Sequence, residues 1–376
     1  MATEQTHSTR PSSSIATPSL SSDHYLDPTI FEQELALIWR KQWLYLDRLG
    51  ILQNPGDFQV YRIAGREIIV TLNEASQYKA FFNVCRHRGS VLCEAESGHF
   101  NSGRIICPYH QWSYTLDGAQ AGTPRVNLAV ADGALDLHPV LLRSWAGNLY
   151  VNLDSTATGT IEDVMIPGPK TLEHWPLAQL SVGHRSSFVI NCNWKIFWEN
   201  YLECYHCPAI HPELCRIVPL YQAGLSTELI NPEHPATDSV AAGIESWTST
   251  GRAIAAPFAT LNEAERAAGH TFLELYPNQY IVAHSDYVRQ VCIQPLSVTQ
   301  TQITAEWLFS EDALADPNFD ARPATDFGEL VLEQDTRVCE LNQRGLNAAS
   351  AFQGVLVDLE ADVVDFHQKY RKWMNQ

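Results

Sequence analysis

The chain has 376 residues, 45% of them hydrophobic, which is enough to bury a large core and to divide into two domains. Its formal net charge of −18 repels phosphate backbones and anionic bilayers, so neither nucleic acid nor a membrane surface is an expected partner. No window approaches the roughly 18 consecutive apolar residues of a spanning helix, and nine cysteines, an odd number in a long chain, favour reduced cytoplasmic thiols over a disulfide scaffold.

Residues 1–21 are rich in Ser, Thr and Pro and lack the apolar stretch of a secretory signal, so they are expected to form a disordered tail. Asp27-Pro28 then opens a helical pattern, DPTIFEQELALIWRKQWLYL, with Asp27 as N-cap and Pro28 at the first helical position. Residues 22–45 are accordingly expected to be a helical lead-in that packs on the later domain. From about residue 57 the period changes: DFQVYRI, REIIVTL and KAFFNVC read as short strands separated by Ala64-Gly65 and Asn73-Glu74 turns. With SYTLDG and AGNLYVNL further on, residues 46–155 form an expected antiparallel β-domain. In residues 156–376, strand-like SSFVINCNW, RQVCIQPL and QITAEWLF mix with helical IFWENYLECYH, DFGELVLEQDTRVCELNQRGL and LEADVVDFHQKYRKWM. The predicted fold class is therefore α+β, a β-domain followed by a domain with a large antiparallel sheet flanked by helices.

Two motifs carry chemistry. The first is CRH, Cys85 to His87, matched nineteen residues later by CPYH, Cys107 to His110. Thiolate and imidazole are good ligands for iron and zinc. A closed Cys2His2 zinc site is the bland reading, and with it goes a zinc-stabilised binding protein without redox chemistry. Zinc fingers, however, pair Cys with Cys and His with His, whereas each loop here offers one of each. That suits a two-iron cluster with Cys85 and Cys107 on one iron and His87 and His110 on the other, the arrangement of a Rieske centre. The wider context, CRHRG and CPYHQWSYTLDG, resembles Rieske proteins. The spacer is slightly longer than usual, and the excess is assigned to EAESGHFNSG. Cys93 reads as a buried small hydrophobe and His99 as a surface histidine.

The second motif is NWKIFWENYLECYHCPAIHPEL, which gathers Glu203, His206 and His211. Glu203 and His206, three apart, are expected on one helix face. His206 and His211, five apart, converge only if the helix is broken, and Pro208 between them supplies a cause. Two histidines need a carboxylate to hold non-haem Fe(II). Asp335 lies on a stripe with Val331, Val338 and Asn342, while Glu333 and Glu340 read as solvated fallbacks. Cys204 and Cys207, a CxxC pair, offer a competing zinc or redox reading.

Together the two motifs resemble the α subunit of the Rieske non-haem iron oxygenases, the ring-hydroxylating dioxygenase superfamily, over nearly the whole chain beyond the tail. The resemblance implies a Rieske 2Fe-2S cluster on Cys85, His87, Cys107 and His110, and mononuclear Fe(II) on His206, His211 and Asp335. It implies that Glu203 carries electron flow from a neighbouring subunit's Rieske histidine and that Asn200 lies close to the iron. It further implies a homotrimer that uses dioxygen on a small organic substrate. Since the chain has neither a dinucleotide fingerprint nor a ferredoxin cysteine run, an NAD(P)H-dependent flavin/iron–sulfur reductase must feed it. ECYHCxxxHPEL and LYPN faintly resemble the branch acting on choline, glycine betaine and carnitine. The expectation leans to a quaternary ammonium compound held by aromatic side chains, with an arene or aromatic acid as the alternative.

Overall fold

The computed structural model describes residues 16–225, 240–349 and 351–375. Asp27 caps its helix as expected, its carboxylate accepting from the Thr29 N–H at 2.7 Å. The helix runs Pro28–Glu34 and continues as a wider turn over Leu35–Trp39. It stops short of the predicted end because Leu44–Arg48 is recruited as a strand. The tail expectation needs the same kind of correction. Thr17–Ser21 is a strand, paired antiparallel with Gln353–Leu356, and Leu20 is buried beneath it. Partners over 300 residues away satisfy backbone groups that local composition would leave to water. Residues 1–15 of the expected tail lie outside the described residues.

Asp57–Ile63, Arg66–Leu72 and Tyr78–Phe82 form the predicted meander. Ala64 and Gly65 both have positive φ, as a two-residue hairpin turn requires. The long spacer is used as structure: Ser97–His99 adds a fourth strand beside Asp57, and His99 bonds the Asp57 carboxylate at 2.8 Å. A second, three-stranded sheet of Arg104–Ile106, Ser113–Thr115 and Gln120–Gly122 closes over the core of Phe58, Ile69, Phe81, Cys93 and Tyr114. Cys93 is buried there as expected, and burial pushes its thiol up to about 12.

The later domain is a six-stranded antiparallel sheet. Its strand order is Met165–Ile166, His270–Leu275, Gln279–His284, Val288–Ser297, Gln300–Ser310 and Leu180–Ile190. Side chains alternate between its two faces. One face carries Gln279, Gln290, Glu306 and Arg185, which are tied by hydrogen bonds to Tyr45, Asp47, Asn148 and Tyr150 of a small sheet, Leu141–Trp145, Asn148–Asn152 and Leu44–Arg48. The opposite face receives the helix Trp194–Tyr201 and the 27-residue helix Arg322–Ala348. Gly328 of the long helix allows that approach: a Cβ there would lie 2.7 Å from the Trp307 ring. Among the described residues no helix is long and apolar enough to cross a membrane.

Candidate functional site: two metal-binding constellations

The two Cys/His loops have the same backbone geometry. In each, the cysteine N–H donates to the carbonyl five residues on, and the residue four on donates back to the cysteine carbonyl. Gly89 and Gln111 occupy that fourth position with φ of 75° and 60°. The equivalent turns bury Cys85 and Cys107 and expose His87 and His110, whose rings stand 4.7 Å apart. The imidazole of His87 stacks on Trp112 at 4.6 Å, and the Tyr114 hydroxyl lies 3.3 Å from the Cys85 sulfur. Burial raises the Cys85 thiol above its ordinary value, against the pull of Tyr114. An inner pair of sulfurs and an outer pair of imidazoles can hold a two-iron cluster with one sulfur-ligated and one histidine-ligated iron. Loops that each carry one ligand of either kind do not form the usual zinc-finger pairing.

The second constellation forms where the chain leaves a helix. Asn193 caps the helix Trp194–Tyr201 by accepting from the Lys195 N–H, and the helix ends at Tyr201. Glu203 and His206 therefore do not share a helix face, contrary to what their spacing predicts. They meet across a turn, in which the His206 N–H donates to one Glu203 oxygen at 3.1 Å and its Nδ1 to the other at 2.6 Å. Pro208 sits in the first turn of a four-residue helix, Cys207–Ile210, and His211 separates it from the next helix, Pro212–Ile217. That break turns His211 back towards His206, as their spacing requires.

The Nε2 atoms of His206 and His211 lie 3.2 Å apart, and Asp335 Oδ1 is 3.5 and 2.9 Å from them. Behind them Glu203 holds His206 Nδ1, and Gln334 Oε1 holds His211 Nδ1 at 2.8 Å. Gln334 is fixed in turn by the Glu213 carboxylate at 3.0 Å. With both Nδ1 atoms donating, the two Nε2 atoms converge on a carboxylate oxygen, an arrangement that calls for a cation, a proton or a metal ion. Burial would lower His206, yet Asp335 and Glu203 hold it up at about 9. Burial likewise opposes ionisation of Asp335, but the imidazoles hold its carboxyl at about 2. Two histidines and one carboxylate are the ligands that non-haem Fe(II) oxygenases use.

Asn200, on the last helical turn, places its amide 3.3 Å from His206 Nε2. Glu333 points away into solvent, and Glu340 bonds the Asn191 backbone and amide, so neither joins the cluster. Gln334 and Glu213 escaped the sequence reading. Their signal was their position beside Asp335 and His211 in a site whose buried imidazoles need acceptors. The expectation of reduced thiols is overturned at one pair, because Cys204 and Cys207 are joined by a disulfide. The Cys207 sulfur, 4.0 Å from His206 Nε2, is thereby spent, which removes it as a competing zinc ligand.

Comparison with known proteins agrees with both halves. Residues 42–132 match the Rieske [2Fe-2S] domain, and residues 177–376 match the ring hydroxylating alpha subunit catalytic domain. The chain is 28% identical to the glycine betaine monooxygenase oxygenase subunit of Chromohalobacter salexigens, over 95% of this chain and 86% of that one. It is 35% identical to the carnitine monooxygenase oxygenase subunit of Escherichia coli K12, over half of each. In fold it resembles the quaternary ammonium Rieske monooxygenase CntA, with a TM-score of 0.72 at 20% identity over 96% of both chains. Naphthalene 1,2-dioxygenase from Rhodococcus sp. follows at 0.69 and 18%, over 94% of this chain and 93% of that one. A family match that spans more than half the chain, over a site built from two histidines and a carboxylate, makes this protein a member of the ring-hydroxylating oxygenase α subunits, an oxygenase component that carries a Rieske cluster and a non-haem iron centre and depends on a reductase for electrons.

Proposed function

We propose that this chain is the terminal oxygenase that hydroxylates, or oxidatively N-demethylates, a quaternary ammonium compound. The observation that carries the site is the convergence of His206, His211 and Asp335, which would hold the mononuclear iron. Cys85, His87, Cys107 and His110 would hold the cluster. When bound, the cluster supplies single electrons and the iron supplies dioxygen activation. The protein's own contribution is positional. Glu203 and Gln334 fix the imidazole tautomers, and the Asn200 amide lies beside the open side of His206. The substrate class is favoured by the glycine betaine and carnitine relatives. It is also favoured by Tyr221, Trp247 and Phe272, aromatic faces packed in one cluster with Cys204 and Cys207 beside the iron ligands. Aromatic faces attract a quaternary ammonium through their quadrupoles.

The working unit is a cytoplasmic homotrimer served by an NAD(P)H-dependent flavin/iron–sulfur reductase. Two features support the trimer. His87 and His110 are exposed beside apolar Tyr109, Ile106 and Val91 at a tip suited to docking. Glu203, with Glu199 and Glu360, lines a cavity of about 320 Å³ that opens on the outer side of His206. Glu203→Gln is expected to keep both metals and lose turnover about 100-fold, the upper end for an outer partner of a metal ligand. Metal analysis alongside oxygen consumption reads both quantities, and normal coupled turnover would reject the role given to Glu203. Substrate class is tested by substrate-dependent oxygen uptake with a surrogate reductase. Betaines should drive uptake and aromatic acids should not; the reverse result overturns the substrate assignment.

A further inference from the structure

Strand register places an unusual set of side chains on the sheet face that meets the iron-bearing helices. Arg289 pairs across strands with Trp307 and Val282, and His270 pairs with His284, all on the face opposite Gln290 and Glu306. Eight buried side-chain polar atoms among the described residues lack a hydrogen-bond partner. Six of them belong to Trp247, His270, His284, Arg289 and Trp307 on or against this face. Buried polar groups are nearly always paired, so a local concentration of orphans marks a place where a ligand or ordered solvent completes the bonding.

Arg289 is the strongest of them. It is only 7% exposed, its Nε has no partner, and no carboxylate among the described residues forms an ion pair with it. The buried acids nearby are already engaged: Asp286 by Ser246 and the Ile254 N–H, Asp335 by the two histidines. A buried guanidinium without a counter-charge is costly, and a bidentate anion is its natural partner. The long helix makes room for it, since a Cβ on Gly328 would lie 3.2 Å from Arg289 Nη1. Gly328 and Asp335 are seven residues apart, so they share a helix face about 10 Å apart along the axis. The charge of Arg289 also acts on Tyr280, which in turn feels Asp335. The guanidinium thus stands roughly one small-molecule length from the metal ligands.

We infer that Arg289 binds the carboxylate of the substrate, with His270 and His284 as neutral hydrogen-bonding neighbours, so that the enzyme selects acid-bearing substrates. Burial keeps His270 down at about 4 and His284 well below its ordinary value, so neither adds a charge that would compete for the anion. The inference rests on the iron site proposed above. It narrows the substrate to a betaine, a cationic head near the iron with a carboxylate at the far end, and excludes choline, which lacks one.

The test uses the iron-loaded enzyme with whichever of glycine betaine, L-carnitine and γ-butyrobetaine supports oxygen uptake, set against its methyl ester and against choline. Arg289→Gln should raise KM for the acid about 100-fold with kcat little changed, as for loss of a buried charged partner, and leave KM for the ester unchanged. Arg289→Lys should recover part of the loss. The Tm of Arg289→Gln should be equal or higher, because an unpaired buried charge has been removed; a merely structural arginine would lower it. Choline turned over as well as the betaine, or an acid KM untouched in Arg289→Gln, overturns the inference while leaving the quaternary-amine reading intact. Turnover of an aromatic acid instead, lost in the same variant, sinks that reading and upholds the carboxylate site.

Discussion

Asp335→Ala should yield a brown protein with the cluster's visible spectrum intact, one iron fewer per chain and no measurable substrate oxidation. The carboxylate is the sole anionic member of the donor set, 2.9 and 3.5 Å from the two imidazole nitrogens. Its loss leaves two neutral ligands and removes the charge that compensates a divalent ion. The penalty should exceed the roughly 10–100-fold that a missing outer partner costs. Folding should survive, because the long helix is anchored elsewhere by buried Phe327, Leu332 and Cys339. Glu333→Ala is the matched control, one helix with the carboxylate on its solvent side, and should keep iron and activity. Glu340→Ala should also keep both and lose only about 1 kcal/mol with the Asn191 hydrogen bonds. Iron per chain and oxygen uptake, measured together, decide it. A full iron complement in Asp335→Ala would move the third ligand elsewhere.

The parts legible in the sequence are those where local pattern and final structure agree. DFQVYRI and REIIVTL became strands with their written ends because alternation, hairpin turns and core burial all asked for one register. The Cys/His loops stood out as a candidate site because ligand chemistry restricts residue type regardless of fold. The failures have physical causes too. Thr17–Ser21 is a strand only because Gln353–Leu356 arrives beside it, a pairing with no local signature. Gln279–His284 is buried along its whole length, so the polar alternation that marks a half-exposed strand is missing from QYIVAH. The helix expected through His206 fails at Leu202, where Glu203 takes the His206 N–H into a turn. LYPN turned out to be mainly a packing device: the Pro277 carbonyl accepts from Trp198, and the Asn278 amide pairs with the Tyr45 backbone. Arg289 was invisible because an arginine in a strand reads as surface until its burial and lack of a partner are seen together.

The second large effect is expected on stability, at Lys195. The NWK of the iron-helix motif holds the lead-in to the catalytic domain: Lys195 Nζ lies 2.5 Å from Glu34 Oε1, and both side chains are fully buried. Trp194 Nε1 and the Tyr370 hydroxyl donate to the same carboxylate at 2.8 Å, so segments far apart in sequence meet at one charge. Burial lowers the Lys195 pKa although Glu34 opposes the shift, the sign of an ion whose desolvation its partner only partly offsets. Lys195→Met leaves Glu34 without its counter-charge in an apolar interior with two neutral donors, and should cost about 3–5 kcal/mol. It should lower the urea midpoint with little change in slope and loosen the helix that positions Asn200. Combining Lys195→Met with Glu34→Gln removes the stranded charge and should recover most of the loss, because the penalty of a broken buried pair lies in the partner left behind. If the double variant is no more stable than the single one, packing rather than charge holds the lead-in to the iron helix.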